Sequence, residues 1–139
     1  MKKFMIGVLV VTAFYLQGCD GLPDGPVVSL LSKTERVAND WMVGEALDEG
    51  ANVTSDYERY ELNLTEGGLA DLTAKYSFLG IEYDYTTKGT WEFVSNEEKI
   101  SFDFDNDEAD CVYELLILTK DEMWLKKDAG TVELHFMPR

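Results

Sequence analysis

The sequence is poor in positive charge and in histidine. Its 139 residues include 12 Lys and Arg against 27 Asp and Glu, and His135 is the only histidine. Nucleic acids and anionic lipid surfaces are bound through clustered Lys and Arg, so this composition argues against both partners. The chain contains no Gly-x-Ser-x-Gly, no His-Glu-x-x-His and no glycine-rich phosphate loop. We therefore expect a protein that is not an enzyme, uses no cofactor and holds no metal.

Cysteine is also scarce, because Cys19 and Cys111 are the only two. If Cys19 carries a lipid, as argued below, Cys111 has no partner for an internal disulfide. Cys111 opens an apolar run and has Asp110 beside it, whereas a reactive thiol is favoured by basic neighbours. The pattern predicts a small buried hydrophobic residue.

The N-terminus has the form of an export signal. Lys2 and Lys3 precede an apolar run from Phe4 to Leu16, which ends in Gln-Gly-Cys. A helix of that length reaches about 20 Å, short of a hydrocarbon core of about 30 Å, so a cleaved signal is favoured over a membrane-spanning helix. Residues 16–19 resemble the lipobox of bacterial lipoprotein precursors. The resemblance implies a lipid on Cys19; the alternative is an ordinary secretory signal.

These features predict a signal peptide at 1–18, a tether rich in Gly, Pro and Asp at 19–27, and one domain at 28–139. Removing residues 1–18 takes away Lys2 and Lys3 and changes the net charge from −15 to −17. Acyl chains on Cys19 would hold the protein to a membrane of the bacterial cell envelope. We expect the outer membrane or the cell surface rather than the inner membrane.

From Trp41 onward the apolar residues recur with a period of two, which predicts half-buried antiparallel strands. The alternating sets are Trp41/Val43, Tyr60/Leu62/Leu64, Leu72/Ala74/Tyr76/Phe78, Trp91/Phe93, Ile100/Phe102/Phe104 and Val132/Leu134/Phe136. Cys111–Leu118 is apolar on both parities, which indicates a strand covered on both faces, and Met123–Lys127 supplies one more. Seven turn signals separate these eight strands.

Eight short strands in succession favour an all-β fold, an eight-stranded antiparallel up-and-down barrel, because closure removes exposed edges. An open sandwich is the alternative. Gly89, inside the fourth strand, suits a bend or a bulge. Before the strands, Val28–Ala38 predicts a short N-terminal helix with Ser29 or Ser32 as its N-cap.

Three short motifs resemble the lipocalin-like lipoproteins of bacteria. They are Asn39-Asp40-Trp41, then Gly89-Thr90-Trp91-Glu92-Phe93, and finally Tyr113 to Thr119 followed by Met123-Trp124-Leu125. Asn39 stands where that family has Gly. The resemblance implies an eight-stranded barrel with a Trp near its closed end and, in some relatives, a small apolar ligand inside.

The predicted barrel interior is aromatic. Eight strands enclose a space that side chains can fill or that one small ligand can share. Our leading hypothesis is a membrane-anchored barrel that binds a small apolar or amphipathic ligand; the alternative is an interaction or inhibitor module of the envelope with a filled core. The ligand-contacting residues of the leading hypothesis are Trp41, Tyr60, Tyr76, Trp91, Phe102 and Phe104.

The densest charge cluster runs from Asp103 to Asp110. Its alternating carboxylates resemble the start of an EF-hand calcium loop but lack the glycine after the third ligand. The position between two strands favours a solvated acidic turn instead.

Overall fold

The computed structural model describes residues 30–139, and within them the side chains of residues 76–78 are left out of the description. The predicted signal peptide, the tether and Cys19 lie outside these residues, as does the side chain of Tyr76. No helix in the described range is long and apolar enough to cross a membrane.

The fold is a closed antiparallel β-barrel preceded by one short helix, as the sequence predicts. The elements are α1 (Lys33–Val37), β1 (Asp40–Asp48), β2 (Ala51–Asn52), β3 (Tyr60–Leu64), β4 (Leu69–Phe78), β5 (Ile81–Val94), β6 (Lys99–Phe104), β7 (Cys111–Leu118), β8 (Met123–Lys127) and β9 (Val132–Pro138). Each long strand pairs with the next, and β1 pairs with β9 to close the ring. The two-residue β2 is an extra strand that pairs only with β1.

Helix α1 is shorter than the predicted span Val28–Ala38. Ser32 is the N-cap, and it exchanges reciprocal hydrogen bonds with Glu35 in a capping box. The bonds hold the first turn because they satisfy backbone donors that a helix start leaves unpaired. Leu30 precedes the cap and is fully exposed, so it lies outside the core. The spacing of the apolar residues therefore predicted a helix that starts too early. The Ser32 cap sets the start of α1, and Leu30 does not.

Inward-facing residues along the strands form one core. Seventeen buried apolar residues are 0–7% exposed, and they include Trp41, Leu72, Ile100 and Leu125. The alternation that the sequence shows therefore sorts the side chains correctly between interior and surface.

Within the described strands the ladder is irregular at two places, and neither is Gly89, where the sequence predicts a bend or a bulge. Register shifts occur in β1 between Val43 and Glu45 and in β7 between Leu115 and Ile117. Gly89 pairs in register with both neighbouring strands. A Cβ there would lie 2.0 Å from the Asp103 carbonyl oxygen, so glycine is required by close backbone approach and not by a bulge.

Strand β7 is covered only in part on its outer face. The Arg36 guanidinium of α1 donates to the Leu118 carbonyl oxygen at 2.9 Å. Leu116 remains 45% exposed. The prediction of cover on both faces therefore holds near the end of β7 next to α1 and fails at Leu116.

Helix α1 marks one end of the barrel, which we call the helix end. Lys33 donates to the Glu97 carbonyl oxygen in the β5–β6 turn, and Arg36 reaches Leu118 before the β7–β8 turn. At the opposite end lie the β4–β5 turn, the β6–β7 loop and the loop that leads to β3. We call it the tyrosine end, after the side chains described next.

Candidate functional site

The two predicted tryptophans are anchored in the core at the helix end. Trp41 is 0% exposed, and its indole N–H donates to the Val37 carbonyl oxygen at 2.8 Å. Trp91 is 6% exposed and donates to the Thr65 carbonyl oxygen at 2.9 Å. Both polar atoms are satisfied by backbone, so the geometry assigns these residues a packing role; contact with a ligand stays a prediction.

The two predicted phenylalanines also contact other rings. Phe102 and Phe104 are each 3% exposed, and their rings stack 5.8 Å apart with 5° between planes. Phe102 meets the ring of Tyr113 edge to face at 5.9 Å. This stretch of the interior is occupied by the protein's own side chains.

Tyr60 lies among aromatic residues nearer the tyrosine end. The centroid of its ring lies 6.2 Å from that of Phe136 and 5.6 Å from that of Tyr57. Burial raises the pKa of the Tyr60 phenol above its ordinary value, and a hydrogen bond with Tyr113 offsets part of that rise. Burial likewise raises the pKa of Tyr113, and the nearby Tyr60 and Cys111 add to it.

The tyrosine end combines these phenols with carboxylates. Burial raises the pKa of Tyr57, and the negative charges of Asp56 and Asp48 raise it further. The Tyr57 phenol and the carboxylates of Asp56 and Asp48 therefore lie close enough at this end of the barrel to interact electrostatically. Cys111 forms no disulfide and is half-buried, whereas the sequence predicts a buried side chain.

A surface cleft of about 440 Å³ opens beside this rim. It is lined by Tyr83 and Tyr85 from β5 and by Asn106 and Glu108 from the β6–β7 loop. Two aromatic side chains, an amide and a carboxylate can hold a ligand or another chain by ring contact and hydrogen bonding. The sequence prediction missed Tyr83 and Tyr85, although Ile81, Tyr83 and Tyr85 alternate with acidic residues as a half-buried strand would.

Next to the cleft, the β4–β5 hairpin exposes apolar side chains. Leu79 is 85% exposed, Ile81 56% and Tyr83 50%. Exposed apolar groups that cluster at one place are a common mark of an interaction surface. Neither the resemblance nor the periodicity predicted this cluster. A period of two shows which side chains share a face of a strand, but it does not show where the neighbouring strand ends and leaves that face exposed.

The acidic run is an ordered loop. Its residues Asp107–Ala109 form a 3₁₀ turn, Asp110 accepts from the Phe104 backbone N–H at 2.7 Å, and Asn106 accepts from that of Glu108. Within residues 30–139, no group of three or more His, Cys, Asp or Glu side chains is placed to hold a metal ion. The loop uses its carboxylate and amide oxygens to fix its own backbone.

His135 lies on the outer face where β1 meets β9, as its parity predicts. Its ring stacks on Trp124 at 3.9 Å, Nδ1 is 2.9 Å from a Glu45 carboxylate oxygen and Nε2 is 2.6 Å from one of Glu133. The imidazole thus connects β9 to β1, the two strands whose pairing closes the barrel. The arrangement contains no nucleophile, and it is best explained as a structural contact.

No family model matches the chain, and no curated protein matches it significantly. The likeness to lipocalin-like lipoproteins therefore stays a prediction from the residues that carry it.

Proposed function

We propose that this chain is a lipid-anchored, lipocalin-like lipoprotein of the bacterial cell envelope that acts through its surface, as an interaction or inhibitor module for another protein. The observation that supports this choice is the close packing of the interior around the residues predicted to contact a ligand. Of the six residues that the ligand hypothesis places around a ligand, Trp41, Trp91, Phe102 and Phe104 are 0–6% exposed and pack on other side chains or donate to backbone. A barrel filled in this way presents its loops and strand edges instead.

The anchor rests on the sequence around Cys19. Two or more acyl chains there would give a permanent membrane attachment, because each buried CH₂ contributes about 0.8 kcal/mol. Growth of cells with labelled palmitate should therefore label the wild-type chain and leave Cys19→Ala unlabelled and released from membranes. A wild-type chain that takes up no label would remove the anchor from the proposal.

The surface role is tested by photo-crosslinking in intact cells. A photoreactive residue in place of Glu108, at the cleft of the tyrosine end, should give a discrete adduct with a protein. The matched control replaces Glu66, which is also exposed but lies in the β3–β4 turn at the helix end. Equal yields at the two positions, or no protein adduct at Glu108, would contradict the proposal.

A small amphipathic ligand at the tyrosine end is the second candidate. The half-buried phenols of Tyr60 and Tyr113 favour it, since hydroxyls in such a place can bind a ligand's polar group. Titration calorimetry with a panel of fatty acids separates the two. The surface role predicts no saturable binding, and saturable binding in a fixed ratio would favour the carrier.

A further inference from the structure

Strand β5 is longer than the strand beside it. Residues Gly89–Val94 pair with β6, and the Lys88 carbonyl oxygen accepts from the Asp105 N–H at 2.8 Å. Residues 81–86 pair with β4 along one edge. On the other edge no described residue pairs with them, so six residues of strand stand open at the tyrosine end.

The β4–β5 turn fixes which backbone groups face this open edge. Leu79 and Gly80 have φ of 52° and 77°, the left-handed values of a two-residue type I′ turn. In such a hairpin the flanking pair, Phe78 and Ile81, is hydrogen-bonded. Odd-numbered residues of β5 therefore bond to β4, and even-numbered residues point the other way.

Two observed hydrogen bonds agree with this alternation. The Trp91 N–H donates toward the β4 side, to Gly68, whereas the Lys88 carbonyl oxygen accepts from the β6 side. The N–H and C=O groups that face the open edge are thus those of Glu82, Asp84 and Thr86. Unpaired groups in a row are a template for another strand.

The 440 Å³ cleft lies along this edge. Tyr83 and Tyr85 line it from β5, and Asn106 and Glu108 line it from the facing loop. An added strand would run about 4.8 Å from β5. Alternate side chains of that strand would then enter the cleft and meet two aromatic rings and one carboxylate.

Two of the registers in which a second copy of this chain could pair with the edge are unfavourable. Antiparallel self-pairing centred on Tyr83 sets Glu82 opposite Asp84, and centring on Asp84 sets that residue against itself. Like charges directly opposite each other destabilise a strand pair. On the outer face, Glu82 and Asp84 lie on β5 itself, directly beside an added strand. Their ion-pair partners Lys75 and Arg59 lie on the other side of β5, and Lys88 lies beyond the open segment. A strand with basic residues on this face therefore fits better.

The position in the fold also favours a protein over the bilayer. The described chain starts next to α1, so a tether from Cys19 would join the barrel at the helix end. The open edge lies at the opposite end of the barrel.

We propose that residues 81–86 of β5 bind an extended segment of a partner protein, which alternates apolar with basic residues and joins the sheet beside β5. This inference rests on the proposed surface role and names its site and the partner's chemistry.

The test measures binding of an acetylated and amidated octapeptide of alternating Val and Lys to the purified full chain, by titration calorimetry. We expect saturable binding that falls about tenfold in Asp84→Pro, because proline removes an outward N–H and leaves the peptide carbonyl unpaired. Asp84→Asn is the matched control. It keeps the N–H and lacks the charge, so it should lose less affinity than Asp84→Pro.

A peptide with N-methyl groups on alternate residues tests the same bonds without changing the protein, so the outcome does not depend on folding of the proline variant. One of the two methylation frames should bind about tenfold more weakly. Equal binding of both frames, or wild-type binding by folded Asp84→Pro, would overturn the inference. So would self-association of the wild-type chain in sedimentation velocity that Asp84→Pro abolishes.

The two proposals can fail separately. A protein adduct at Glu108 together with no strand binding at β5 would remove only this inference. Absence of any adduct at Glu108 would remove the proposed surface role itself.

Discussion

At the helix end the polar atoms of buried aromatic residues bond to the protein's own backbone, whereas at the tyrosine end they gather near the rim. Trp41 and Trp91 donate to carbonyl oxygens of Val37 and Thr65. Tyr57, by contrast, is half-buried and lies in the field of nearby carboxylates. We infer that the helix end contributes most of the stability of the barrel, whereas the tyrosine end is available for contact with other molecules.

The largest effect should come from Trp41→Ala at the helix end. Removing a fully buried indole deletes core contacts and leaves the Val37 carbonyl unpaired, so we expect a loss of about 4 kcal/mol in the free energy of unfolding. Tyr57→Ala at the tyrosine end is the comparison and should cost about 1–2 kcal/mol, because that side chain is half-buried. Urea unfolding measures the stability of the two variants. Equal losses would contradict the claim that the helix end contributes more stability than the tyrosine end.

Gly89→Ala should destabilise the barrel by about 3 kcal/mol. The added methyl would lie 2.0 Å from the Asp103 carbonyl oxygen and 2.6 Å from the Phe104 Cα, so β5 and β6 would have to separate. Gly67→Ala is the control, because its methyl would meet only the Thr65 hydroxyl oxygen at 3.8 Å. Thermal unfolding of the two variants decides, and an unchanged midpoint for Gly89→Ala would contradict the close approach of the strands.

Alkaline pH should lower the free energy of unfolding through the phenols of the tyrosine end. Burial raises the pKa of Tyr60 and of Tyr113 above the ordinary value near 10. Above pH 10 the unfolded chain therefore loses these protons while the folded chain keeps them, and stability falls as pH rises. Each phenol contributes a slope of about 1.4 kcal/mol per pH unit. Urea unfolding between pH 9 and pH 11 should show a shallower decline for Tyr60→Phe than for wild type, and parallel curves would refute this origin.

The smallest effect should come from the helix cap. Ser32→Ala removes the capping box of α1 and should cost about 1 kcal/mol. Ser55→Ala, an exposed position in the 3₁₀ turn Thr54–Tyr57 near the tyrosine end, should change stability by less than about 0.5 kcal/mol. Urea midpoints compare the two serines. A cap variant as stable as Ser55→Ala would show that α1 adds little to the helix end.

The sequence predicted the core better than the rim. Alternation placed Trp41, Leu62 and Phe136 inside because a strand sends every second side chain to one face. The two register shifts were invisible, since a bulge depends on how neighbouring strands pack. For the same reason the sequence could not show that β6 stops short of residues 81–86.

Among the candidate site residues too, those in the core were predicted and those at the rim were not. Trp91 and Phe102 were found from periodicity because they are core residues, and periodicity finds cores. Tyr83 and Tyr85 were missed because their importance comes from a loop that approaches from elsewhere in the chain, through Asn106 and Glu108. Contacts between distant segments are set by topology and leave little trace in local sequence.

The central claim is that side chains fill this barrel, so that its function lies at its surface. Native mass spectrometry of the protein extracted from its own membrane tests this most directly. We predict the mass of the chain from Cys19 onward with its acyl chains and nothing further bound in fixed ratio. A stoichiometric apolar molecule that leaves only on unfolding would contradict the account and restore the carrier.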